Sequence, residues 1–340
     1  MLLEELKQQR ASKWRTDGAH PVRTLEDAHA FIDAVGFCLI YPTRPAVVAP
    51  TFIGAVLGTE TDLPIASKAA IDPRTQLATE LVLRLLNDKH AFEVPFGESG
   101  SLLVSAAEFP YFYALLGERN PKNVPGLGVH GEKTLAAHTF KLLAKSPMSE
   151  QEMLVAHSKG ISEAALARAL HELWSKLRIA RIELLKHKQS PTWDVLYRIA
   201  PQPVGRGAHI SQAEALSALI SKYLETVIAA EPHAIEEFFG YITSRSKVSE
   251  IIKALTAARE FESRPVGYAA MVRLVPRDKE KEKEEEKKAE LGRVQQRSIA
   301  GERRSGPDVG RKMVMRHDRR NPRRDDRRGP PPRRERKPTR

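Results

Sequence analysis

Between residues 149 and 199 the apolar positions switch from a helical period to an alternating one, and the switch predicts a small folded unit. Ser149 and Glu152 have the spacing of a capping box and open a short helix. Lys159-Gly160 breaks it, and Ser162 is placed to cap a second helix. Along that helix Ala165, Leu166, Ala169, Leu170, Leu173 and Leu177 recur at steps of three and four, which makes one stripe apolar. Two β-rich segments follow, RIARIELL and WDVLYRI, joined by a polar loop with Lys186, His187, Lys188 and Pro191. Helix, tight turn, helix and two-stranded ribbon are the plan of a winged helix-turn-helix. Such units meet DNA, but others bind proteins or act as spacers. Glu163 and Glu172 on the second helix would oppose phosphate, so this helix alone is a poor reader of DNA.

Related patterns flank this unit. Thr24 caps residues 25–36, where Leu25, Ala28, Phe31, Ile32 and Val35 share a face and Gly36 is the stop. FCLIY is a short buried segment, TFIGAVLG a short helix, and Asp72-Pro73 start a long helix with Leu77, Leu81, Val82, Leu85 and Leu86 on one side. AFEVPF and SLLVSA around Gly97-Glu98-Ser99-Gly100 read as a hairpin. EFPYFYALLG is an aromatic helix suited to packing between domains, and NPKNVPGLGVHG connects it to a helix over 131–146. After PQPVGRGAHI, Ser211 and Glu214 open a helix running to about Ala230, followed by helices from Pro232 and Ser246. FESRPVGYAAMVRLV reads as two strands around Pro265-Val266-Gly267.

The expected fold class is α+β, mostly α: tandem winged helix-turn-helix domains with a disordered C-terminal tail. The expected organisation is an extension over 1–23, a first domain with the aromatic packing helix over 24–128, a second over 129–204, a third over 205–276 and a charged tail over 277–340. The likeness among the blocks is architectural, with no exact sequence repeat.

Charge changes the picture once it is located. Residues 277–340 hold 24 Lys+Arg against 13 Asp+Glu, which accounts for all but one unit of the formal net charge of +12. Over 293–340 Lys+Arg outnumber Asp+Glu 18 to 6, and large apolar residues are almost absent. Such a segment buries too little surface to offset chain entropy. Its arginines have planar forks that donate two hydrogen bonds to a phosphate at once. Without aromatic residues it lacks a stacking platform, so its attraction to a polyanion should be non-specific and salt-sensitive.

The single cysteine, Cys38, in GFCLIYP is expected in the core and leaves no partner for an intramolecular disulfide or a cysteine zinc cluster. The charged, heptad-like start MLLEELKQQRASKWR is unlike a signal peptide, and no apolar run reaches the ~18 residues of a membrane helix. The expectation is a soluble, cytoplasmic, nucleoid-associated protein. There is no phosphate-binding glycine loop, H-E-x-x-H or G-x-S-x-G. The eleven histidines, among them His171, His187 and His233, show no zinc spacing, and Asp33 and Glu80 read as solvated helix positions. No metal and no cofactor is expected.

Taken in order, LEDAHAFIDAVGFCLIYP, AEFPYFYALLG, LARALHELWSKLRIARIE and TWDVLYRIAPQPV resemble the AlkZ-like crosslink-repair DNA glycosylases, a bacterial-type winged-helix family, over roughly 24–275. The resemblance implies tandem winged helices around a DNA channel and metal-free excision of alkylated or crosslinked bases by water attack. It also implies a catalytic run of Gln, an apolar residue, then Gln or Asp. Here the matching run is Leu39-Ile40-Tyr41, ahead of Pro42. Leucine cannot orient water, and tyrosine, with a reference pKa of ~10, is a poor base near neutral pH. The family's extra C-terminal barrel finds no counterpart before the charged tail.

The resulting expectation is a DNA-binding protein of repair or damage response that has lost the reaction. Its duplex contacts would be Arg168, His171, Lys186 and Lys188 in the middle block, and Arg245, Lys247 and Lys253 in the last. Arg319, Arg320, Arg323, Arg324, Arg327 and Arg328 would anchor the tail, which also offers RNA a surface; no membrane is involved. Two alternatives stay open: a metal-independent glycosylase with a displaced catalytic group such as Asp33, and a protein/RNA interaction scaffold.

Overall fold

A computed structural model of the chain describes residues 2–97, 100–124, 134–157, 160–182 and 192–276. Its first block begins with α1 (Leu3–Lys13) and α2 (Leu25–Val35), followed by β1 (Phe37–Leu39). The Thr24 hydroxyl accepts the Asp27 N–H at 3.1 Å while the Asp27 carboxylate accepts the Thr24 N–H at 3.1 Å. This reciprocal cap satisfies two otherwise orphaned donors. Then come α3 (Phe52–Leu57), α4 (Ala66–Ala69), a 3₁₀ turn and α5 (Gln76–Asn87), and finally β2 (Ala91–Phe96) and β3 (Gly100–Ser105). The sheet order is β1-β3-β2, all antiparallel, so the last strand lies in the middle.

Both faces of this sheet are buried. Cys38, Ile40, Ala91 and Leu103 point into the block's own helices, against Phe31, Ile32, Leu81 and Leu85. Phe37, Leu39, Phe92, Val94, Phe96, Leu102 and Val104 point the other way, into a core shared with distant parts of the chain. That is why the strands read as nearly unbroken apolar runs.

The covering layer is α6 (Phe109–Leu116), linked through the middle block to later helices. The middle block comprises α7 (Leu135–Lys145), β4 (Met148–Ser149), α8 (Glu150–Ala156), α9 (Glu163–Ser175), β5 (Ile179–Ile182) and β6 (Thr192–Val195), with sheet order β4-β6-β5. The Ser149–Glu152 box and the Ser162 cap both form as expected. Two readings need correction. Helix α9 ends at Ser175, so Leu177 is buried in the following turn at φ 49° and is not part of the helical stripe. The segment WDVLYRI is a strand only to Val195. Arg198 clasps the buried Asp194 carboxylate, and residues Leu196–Ile199 turn into α10.

PQPVGRGAHI is α11 (Pro201–His209), with both prolines in the first turn, where no intrahelical N–H is needed. It packs against α6, and a Cβ on Gly207 would lie 2.5 Å from the Pro110 carbonyl. The last block is α12 (Gln212–Val227), α13 (Pro232–Phe239), α14 (Arg245–Ala257), β7 (Phe261–Val266) and β8 (Ala269–Leu274). Helix α12 stops at Val227, short of Ala230. A lone antiparallel bridge, Ala230 to Val272, stands where the other blocks have a first strand, so here too the final strand is central. The hairpin turn is Gly267-Tyr268, and Pro265 lies within the strand.

The shared core joins first and last blocks. Phe238 on α13 meets Phe37 and Phe96 of the first sheet at ring separations of 5.8 and 5.0 Å. The Tyr223 hydroxyl donates to the Val48 carbonyl at 2.6 Å, and the Thr226 hydroxyl donates to the Val35 carbonyl at 2.8 Å. Helix α1 closes the far end: Arg10 donates to the Val227 carbonyl at 2.9 Å and Trp14 to Thr226 at 3.0 Å, capping the exposed carbonyls of α12. The middle block keeps its own core around Phe140, Leu170, Leu173 and Trp193. It is tied on by the Arg181–Glu93 ion pair and by buried Arg178, which lies over Phe140 at 4.7 Å and pairs with Glu118 at 3.0 Å.

The α6–α11 approach yields a paired prediction. Gly207→Ala should destabilise by about 1–3 kcal/mol through overpacking. Gly205→Ala, with open space around it, should be neutral or stabilising by up to ~1 kcal/mol. Denaturant midpoints of the two variants check this, and equal midpoints would contradict the close packing.

Candidate nucleic-acid interface

The run expected to match the family's catalytic motif lies at the end of β1. Leu39 is 1 % exposed and packed into the shared core, and Ile40 faces the opposite core. Tyr41 is half-buried, with its hydroxyl 3.3 Å from the Thr79 hydroxyl on α5. β1 ends at Leu39, and of the three residues only Tyr41, at the edge of the block's own core, lines an opening.

That opening is a cleft of about 720 Å³ lined by, among others, Tyr41, Arg44, Ser67, Phe96, Ser101 and Tyr241. Tyr241 comes from the last block and packs on Phe96 with ring centroids 4.7 Å apart, so the shared core sets the width of the cleft. Among the described residues its lining holds aromatic rings, hydroxyls and one guanidinium, but no carboxylate, imidazole or carboxamide. Such a lining can stack and donate hydrogen bonds, whereas it offers no general base of ordinary kind. Arg44 and Tyr241 were not picked out from the sequence. The signal available was the proline-bracketed YPTRP, which fixes a turn immediately after a buried strand.

The cationic candidates fall on separate supports. Arg168 and His171 are exposed on α9, one turn apart, with His171 edge-on to Trp174. Glu172 on the same helix is held by Lys176 at 3.3 Å. Arg245, Lys247 and Lys253 are exposed on α14, and Lys247 donates to the Gln212 side chain at 3.2 Å. Helix α9 belongs to the middle core and α14 to the shared core, and among the described residues no hydrogen bond or ion pair joins the two sets. Lys186, Lys188, Arg319, Arg320, Arg323, Arg324, Arg327 and Arg328 lie outside the described residues.

Several other titratable groups pair with one another away from the cleft. Asp33 is 3.0 Å from His90 Nε2, and neither lines the cleft. His90 stacks on His29 at 4.0 Å. His138 and His157 share a hydrogen bond between their Nδ1 atoms at 2.9 Å, and His157 Nε2 is 3.2 Å from the Thr139 hydroxyl. One ring must donate and the other accept, so at least one is neutral. Burial, and then the neighbouring His138, push His157 below its ordinary 6.5. Burial raises Cys38 far out of the reactive range, consistent with a packing role. Among the described residues no group of three or more His, Cys, Asp or Glu side chains is arranged to hold a metal, and no helix is long and apolar enough to cross a membrane.

The family model described as DNA glycosylase AlkZ-like matches residues 57–293, more than half of the chain. The chain belongs to the AlkZ-like DNA glycosylase family. The matched stretch starts at Leu57, downstream of Leu39 and Tyr41. Among solved structures, Streptomyces sahachiroi DNA glycosylase AlkZ is similar, with a TM-score of 0.51 and 12 % identity, over 79 % of this chain and 70 % of that one. At that identity the likeness is one of fold. No curated protein matches the chain.

The histidine pair gives a pH prediction. A folded-state pKa below the unfolded value means that the unfolded chain takes up the proton more readily. Stability should be full above about pH 6.5 and decline as pH falls below it, levelling off under the folded pKa. Denaturant midpoints from pH 7.5 to 5.0 should show the decline, and His157→Gln should flatten it. An identical slope in the variant would rule this pair out as the cause.

Proposed function

We propose that this AlkZ-like chain binds double-stranded DNA, in repair or damage response, without excising a base. The observation carrying the second half is the end of β1. Leu39 is sealed in the core, and the Tyr41 hydroxyl sits beside Thr79 at a cleft whose described lining supplies hydroxyls and a guanidinium but no group to deprotonate water. Excision by water attack requires such a group.

Three features support the binding half. Helix, short first strand or bridge, helix, helix and hairpin, with the final strand central, recurs in all three blocks and is the plan of a winged helix-turn-helix. In that plan the second helix of the turn enters a groove. Here that element is α9, with Arg168 and His171, and α14, with Arg245, Lys247 and Lys253. Finally, the cationic excess lies in residues 277–340. Lys186 and Lys188, between β5 and β6 in sequence, and the tail arginines Arg319 to Arg328 would meet phosphate, and a nucleoid location would follow. A displaced carboxylate is a weaker reading because Asp33 is engaged with His90, away from the cleft.

Duplex affinity should fall linearly on a log–log plot against salt, with a slope of roughly −0.9 per phosphate contacted. Deleting 293–340 should flatten that slope, and an unchanged slope would remove the tail from the account. Substituting RNA for the duplex should weaken binding; equal or tighter binding of RNA would favour the scaffold alternative. Incubation with alkylated and with crosslinked duplex should release no free base, and release from either would contradict the loss of chemistry.

A further inference from the structure

The β7–β8 hairpin ends in a two-residue turn, Gly267-Tyr268, with Gly267 at φ 61° in the left-handed region. A two-residue turn with glycine first matches the right-handed twist of its strands. The second position is normally small and polar, yet here it carries a tyrosine. Tyr268 is fully exposed, at 112 % of reference, the highest exposure of any large apolar side chain among the described residues.

The hairpin beneath it is firmly held. Val266 and Met271 pack with Leu6 of α1 and with Ala229. Val272 and Ala230 exchange two backbone hydrogen bonds, of 2.8 and 3.0 Å. Arg264 and Arg273 both pair with the single carboxylate of Glu262, at 3.0 and 2.7 Å, leaving the hairpin one positive charge in excess. A contiguous apolar patch would mark a protein or membrane contact. Along the hairpin the exposed positions are instead mixed: Ser263, Arg264, Pro265, Gly267 and Ala270. A rigid ribbon, a cation that suits phosphate and a solitary aromatic face at the tip are together the equipment for stacking on a base.

We infer that Tyr268 is a stacking residue that engages a nucleobase displaced from the duplex, at a bulge, mismatch or damaged step. The inference rests on the duplex-binding reading above and adds a structural preference to it. An aromatic side chain has few rotamers to lose, so a pre-held ring stacks at low entropic cost. The phenolic hydroxyl is not needed, because the π face supplies the contact.

The test compares a fully paired duplex with one of the same length bearing a single unpaired nucleotide, titrated with the full chain at one salt concentration. The native protein should prefer the bulged duplex by roughly 5- to 150-fold, the range that stacking of one base allows. Tyr268→Ala should bring that ratio close to one while keeping affinity for the paired duplex, and Tyr268→Phe should retain the preference. Because the ring packs against nothing, the alanine variant should melt with the native protein. A bulge preference surviving in Tyr268→Ala, or absent from the native protein, would overturn the inference while leaving duplex binding intact. Failure to bind either duplex would overturn the functional reading and this inference together.

Discussion

Phe238 stands where two parts of the chain, some two hundred residues apart in sequence, share one core. Its ring meets Phe37 and Phe96 from the first sheet on one side and Tyr223 and Phe239 from the last helices on the other. A fully buried phenylalanine contributes about 1.5–3 kcal/mol through removal of apolar surface, and paired rings add to that. Much else follows from this contact. It places Tyr241 against Phe96 and so sets one wall of the cleft, and it fixes α12, whose carbonyl end α1 caps. The middle block is attached both by apolar side chains, with Leu177 and Leu196 buried in the shared core, and by arginines. Arg178 is almost fully buried while its partner Glu118 is 41 % exposed, and removing such a partner leaves a buried charge uncompensated, which is costly.

The elements were largely legible along the chain because their signals are local. Thr24, Ser149, Ser162 and Ser211 all cap helices where capping chemistry places them. Signals dependent on tertiary context were harder to read. In PQPVGRGAHI both prolines fit the first turn of α11, and only the neighbouring α6 makes Gly207 useful. The unbroken apolar run FCLIY implied burial, but not that its alternate residues enter different cores. The two-residue strand Met148–Ser149 and the bridge at Ala230 are too short to show any period.

The candidate site was legible only in part. Sequence pointed to Leu39 and Tyr41, and folding places one in the core and the other at a cleft. It could not supply Tyr241, which reaches that cleft through packing across blocks. Nor could it distinguish Tyr268 from other turn residues, because full exposure depends on the anchored hairpin below it. The exposed cations on α9 and α14 occupy the expected helical positions, yet they belong to different cores.

The joint core is tested most directly by hydrogen exchange on Phe238→Ala, compared with the native chain amide by amide. If the first and last blocks are one body, exchange should accelerate together in β3, which carries Leu102 and Val104, and in α12, which carries Tyr223, while α7 and α9 of the middle block keep more of their protection. Faster exchange confined to α12 and α13, with β3 unchanged, would show that the first sheet stands alone and would contradict the account.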